Sequence, residues 1–139
     1  MAKPITVKQV LKATRKFLDE GRLAAQNRKL KAGGQCRYAY ADDPKGFGYH
    51  RCALGAAMTK GQLDFLREQG DGGGSQLALG NSLAAIWDHA RQEIPFDVDD
   101  AGEDALVDLQ DQHDAWLRGE VAKKDFVKTL SILEKEYDL

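Results

Sequence analysis

The sequence predicts a mainly α fold, with five or six helices packed around one small β-hairpin. Three observations carry this prediction. Apolar residues recur at i, i+3, i+4 and i+7 in several separate segments, as one buried helix face requires. Two stretches with aromatics at alternate positions flank a turn containing Asp43, Pro44 and Gly46, which is hairpin patterning. No apolar run is long enough to cross a bilayer. The 139 residues, 42% apolar and 30% charged, fit one globular domain spanning 1–139. A chain of that length can bury a core without disulfides or metals.

The first element is a basic helix within 6–31. Thr6 and Gln9 have the spacing of a capping box. Val7, Val10, Leu11, Thr14, Phe17 and Leu18 then mark one buried face, with Lys8, Lys12, Arg15 and Lys16 off it. Gly21 is placed to end or interrupt the helix, Leu23-Ala24-Ala25 to continue it, and Gly33-Gly34 to break the chain. The hairpin follows at 35–52. Its strands are Cys36-Arg37-Tyr38-Ala39-Tyr40 and Phe47-Gly48-Tyr49-His50-Arg51. Pairing Tyr40 with Phe47 puts Cys36 opposite Arg51, beside Cys52, and a one-residue slip would alter that.

The helical remainder occupies 53–137. Ala53 to Met58 reads as a short helix, close-packed through Gly55. Thr59 and Gln62 form a second capping box that opens a helix running to Gly70. Asp71-Gly72-Gly73-Gly74-Ser75 is read as a linker, since no Gly-Lys-Ser/Thr follows to make a phosphate loop. A helix from Leu77 to about Gln92 stops before Pro95. Asp97 to Asp100 forms an acidic connector without the ligand spacing of a calcium loop. Ala105 to Leu117 and Ala122 to Tyr137 complete the set. The first of these places Leu106, Leu109, His113, Trp116 and Leu117 on one face.

Four features invite a chemical reading. Cys52 lies at a helix start beside His50 and Arg51, where a dipole and cations favour a nucleophilic thiolate. The preferred reading is nevertheless a buried, packed cysteine. Cys36 and Cys52 with one of His50, His89 or His113 supply at most three metal ligands. The paired spacing of structural zinc sites is missing, so no metal or other cofactor is assigned. His113 falls on an apolar face, which suits a hydrogen-bonded core histidine better than an acid–base group. The catalytic candidates are therefore Cys52, His50 and His113, none of them part of a complete constellation. The acidic pairs Asp99/Asp100 and Glu103/Asp104 read as connector and helix-start residues.

The fourth feature is charge. A net charge of −2 conceals a polarity: residues 1–34 carry nine Lys/Arg against two acidic residues, while 88–114 carry ten acidic residues and one Arg. Such blocks usually solvate opposite surfaces. Lys8, Lys12, Arg15 and Lys16 are the candidate partner-binding residues. Without interleaved aromatics, their helix suits a protein partner better than nucleic acid.

Three segments together resemble a group of small bacteriophage and prophage proteins. They are Cys36-Arg37-Tyr38, then Arg51-Cys52-Ala53-Leu54-Gly55-Ala56, then Leu109-Gln110-Asp111-Gln112-His113-Asp114. That group carries a Cys-x-Tyr strand, a Cys-Ala-Ile/Leu-Gly-Ala-Leu segment and a later Leu-Gln-x-x-His-Asp. The resemblance covers about residues 30 to 118, and Ala57-Met58 depart from the group's Leu-Ile continuation. It implies a phage accessory protein that binds a host or phage protein in the bacterial cytoplasm, a host defence component included. The start Met1-Ala2-Lys3-Pro4 lacks a signal-peptide core, which agrees with a cytoplasmic expectation and reduced thiols. The alternatives are a cysteine-dependent enzyme or small-ligand binder centred on Cys52, and nucleic-acid binding through the basic helix.

Overall fold

A computed structural model of the chain describes residues 4–27, 39–40, 43–69 and 94–139. Within them lie five helices: α1 (Val7–Asp19), α2 (Ala53–Ala56), α3 (Lys60–Gln69), α4 (Asp100–Leu117) and α5 (Lys123–Glu136), with a 3-10 turn at Ala24–Gln26. The helical class is as the sequence predicts. The expected helix at 77–92, the glycine loop at 71–75, residues 28–31, Cys36 and His89 lie outside the described residues.

Local chemistry sets the helix starts. Thr6 Oγ1 accepts from Gln9 N at 3.2 Å while Gln9 Oε1 accepts from Thr6 N at 2.8 Å, the reciprocal pair of a capping box. Thr59 and Gln62 repeat the arrangement at the start of α3, at 3.1 and 2.9 Å. Asp99 caps α4 by accepting from Gly102 N at 2.7 Å. Thus α4 begins at Asp100, five residues before the expected Ala105, because Asp99 is a cap rather than a connector. The basic helix ends at Asp19 instead of running on toward residue 31. Gly21, at φ +71°, turns the chain out of it.

The hairpin expected at 35–52 is not shown among the described residues, and its residues 35–38 and 41–42 lie outside them. Residues 43–50 form successive turns, not a strand. Asp43 accepts at its carboxylate from Lys45 N (2.9 Å) and His50 N (2.8 Å), and Gly48 sits at φ +92°. An aspartate that collects nearby amides competes with the ladder an extended strand would need. Only isolated bridges remain among the described residues: Leu23 parallel to Arg51, Ala39 antiparallel to Arg51, and Ile5 parallel to Phe96. Ala39 therefore stands where the expected register put Cys36.

The core collects α1, α2, α4 and α5. Val10, Leu11, Leu54, Leu106, Phe126 and Leu130 are sealed from solvent. Full burial of each such side chain contributes about 1.5–3 kcal/mol. At four residues, α2 is too short to hold itself together. Side chains secure it instead. Leu54 N donates to Gln110 Oε1 (2.9 Å), and Thr14 Oγ1 donates to Ala53 O (3.3 Å). Arg51 donates through Nη1 to Met58 O (2.7 Å) and Gly55 O (3.4 Å) at the other end. Among the described residues no helix is long and apolar enough to cross a membrane.

Candidate functional site

Cys52 does cap a helix, but its surroundings are closed. The residue is 0% exposed within the main apolar cluster, and Sγ accepts from Gly55 N at 3.3 Å. Among the described residues no hydrogen bond joins it to a histidine. Arg51 next to it turns to the carbonyls of Gly48, Gly55 and Met58. Burial, and after it the charge of Arg22, lowers the Arg51 pKa from its ordinary value.

His50 meets Asp43 rather than Cys52. Its Nδ1 lies 3.0 Å from both Asp43 oxygens, and the side-chain amide of Asn27 lies 3.4 Å from Nδ1 and 3.5 Å from Nε2. His113, fully buried, is arranged in the same way. Ala25 N donates to Nε2 at 3.3 Å, so Nε2 is an acceptor and the ring hydrogen sits on Nδ1, which faces Asp114 Oδ1 at 3.2 Å. Gln110 Nε2 donates to the same Asp114 oxygen at 2.7 Å, and its Oε1 receives Leu54 N. The rings of Trp116 and Phe126 stand edge-on to the imidazole, with centroids 6.4 and 6.0 Å away. Each histidine is thus turned by a carboxylate and contacts the segment 25–27, His113 by accepting from Ala25 N and His50 beside the Asn27 amide. That is what a clamp on this segment needs. A general base would need Nε2 open to a substrate.

Among the described residues no three His, Cys, Asp or Glu side chains converge as metal ligands. The three catalytic candidates Cys52, His50 and His113 therefore occupy separate hydrogen-bonded positions. Cys36, the other metal candidate, lies outside the described residues.

The basic face is the feature that reaches solvent. Lys8, Lys12 and Lys16 are exposed along α1. Arg15 is half-buried and crosses to α5. Its Nη2 donates to Glu134 Oε1 (2.6 Å) and Ser131 Oγ (3.2 Å), and its Nε to Glu134 Oε2 (3.1 Å). The hydrogen bond to Glu134 holds the guanidinium above its ordinary pKa. Arg15 is therefore the bolt between two helices rather than a free contact.

On α5, Lys124, Lys128 and Lys135 are exposed at i, i+4 and i+11, which places them on one side of the helix, beside Ser131. Ile132, 50% exposed, lies three residues before Lys135 and four after Lys128. None of the six lysines forms an ion pair among the described residues. Sequence reasoning found the α1 half of this face and missed the α5 half. The lysine spacing on α5 is readable in the sequence, but its adjacency to α1 is a tertiary contact, seen in the Arg15–Glu134 pair 119 residues apart.

Comparison with protein-family models, with curated proteins and with solved structures found no match to this chain.

Proposed function

We propose that this chain is a phage-type accessory protein that acts in the bacterial cytoplasm by binding an acidic protein surface through the exposed lysines of α1 and α5. A component of host defence is the partner class that the phage resemblance suggests. The observation that carries this reading is the basic face: six exposed lysines, unpaired among the described residues, on two helices bolted together by Arg15 and Glu134. The closed setting of Cys52 and the satisfied histidines speak for binding rather than nucleophilic chemistry. Electrostatic faces of this kind speed encounter and select partners by charge.

Capture from bacterial lysate tests the proposal. Wild-type chain is expected to retain a defined partner that salt releases, and the Lys8→Glu, Lys12→Glu, Lys16→Glu triple variant is expected to lose it. Equal capture by both would refute the assignment of this face. Nucleic acid is the second reading, favoured by the same lysines, since phosphate contacts require cations above all. Retardation of duplex DNA at low salt, lost in the triple variant, would select it over the first.

A further inference from the structure

We infer that the basic face of α1 and α5 also docks the acidic ridge of α4 on a second copy of this chain. The inference rests on reading the basic face as a docking surface. On α4, Asp100, Asp104, Asp108 and Asp111 are exposed at i, i+4, i+8 and i+11, so they form one straight ridge. The opposite side of α4 carries its buried residues Leu106, Leu109, His113 and Leu117, so the ridge runs along the middle of the solvent side. None of the four aspartates forms an ion pair among the described residues.

Among the described residues the ridge is short of positive charge. The Asp111 carboxyl is raised from its ordinary value, first by burial and then by Asp114 and Asp108, with only Arg118 opposing. Arg118 itself is drawn to Glu120, at 2.9 Å. The basic face has the opposite need. Its α5 half, from Lys124 to Lys135, has the same eleven-position spacing as Asp100 to Asp111, about 16 Å along each helix. Two ridges of equal length and opposite sign, unpaired among the described residues, can pair between molecules.

The two surfaces differ, so the contact is head-to-tail. Each copy added leaves one free ridge and one free basic face, and growth continues. Exposed ion pairs are individually weak and screened by salt, so the assembly belongs to low ionic strength. A second copy on the basic face would compete with the protein partner proposed above.

Sedimentation velocity on the full chain tests this. At roughly 20 mM salt the sedimentation coefficient is expected to rise with concentration, and at roughly 300 mM to return to that of a monomer. The Asp104→Asn, Asp108→Asn variant and the Lys124→Gln, Lys128→Gln variant should each stay monomeric alone. Mixed, they should stop at a 1:1 complex, because each retains one working surface. A wild-type chain that is monomeric at low salt, or variants that associate as wild type does, would overturn the inference. If wild type is monomeric yet the lysine face still captures its partner, self-docking fails and the proposed function stands. If both are lost, the reading of the face itself fails.

Discussion

At the scale of single residues, the core of this chain contains polar groups that find one another. Gln110 receives Leu54 N, donates to Asp114, and so ties the first turn of α2 to the carboxylate that turns His113. Gln110→Ala would leave the buried amide of Leu54 without its acceptor and remove one donor from the buried Asp114 carboxylate. The expected loss is about 1–3 kcal/mol in urea unfolding. A neutral result would mean that water replaces Gln110 and the network is looser than its distances imply. Cys52 makes a second prediction. In a Cys36→Ser background its thiol should resist a thiol reagent under native conditions and react when the chain is denatured, because it is sealed from solvent. Rapid native labelling would reopen the thiol-based alternative.

At the scale of elements, α1 and α4 approach closely at Gly102. A Cβ there would stand 2.8 Å from Val7 Cγ2 and 3.0 Å from Asp99 Oδ1. Gly102→Ala should therefore lower stability by about 1–3 kcal/mol, read as a fall in Tm. Asp111 yields a prediction with a pH sign. Its raised carboxyl holds a proton more tightly in the folded chain than in the unfolded one. That contribution to stability is present below the unfolded-state value and is lost as pH rises through the folded-state value. Asp111→Asn should therefore stabilise the chain slightly near neutral pH and leave acid stability unchanged. An equal gain at both would point to a cause other than charge. The elements also differ in how legible they were. Thr6/Gln9 and Thr59/Gln62 announced two helix starts, because a capping box is local in sequence. The face of Leu106, Leu109, His113, Trp116 and Leu117 was readable for the same reason. At 47–50 the pattern is misleading, because Phe47 and Tyr49 alternate like strand residues. In the structure Tyr49 instead stacks on Arg22, 4.6 Å from the guanidinium carbon, with Phe17 also against that guanidinium at 4.3 Å. Asp43 and Gly48 turn the backbone beneath it. Long-range partners such as Ala25 for His113, or Glu134 for Arg15, leave no periodic trace in the sequence.

At the scale of the whole molecule, charge is sorted by helix. The exposed cations of α1 and α5 gather around one ion pair, while α4 presents a ridge of aspartates. With a net charge of only −2, this sorting rather than the total governs what the surface attracts. The Arg15–Glu134 pair is itself partly exposed, so Arg15→Ala should cost about 0–1 kcal/mol of stability. It should nevertheless weaken partner binding by loosening the register of the two lysine ridges, a split readable by comparing urea unfolding with capture. The most direct test of the central claim compares variants of equal net charge. Lys12→Glu with Lys128→Glu reverses charge on both halves of the face. Lys45→Glu with Lys60→Glu makes the same change at exposed lysines elsewhere. Partner capture across a salt series should be abolished by the first pair and retained by the second. Equal loss in both would show that total charge, not the face built by α1 and α5, does the binding.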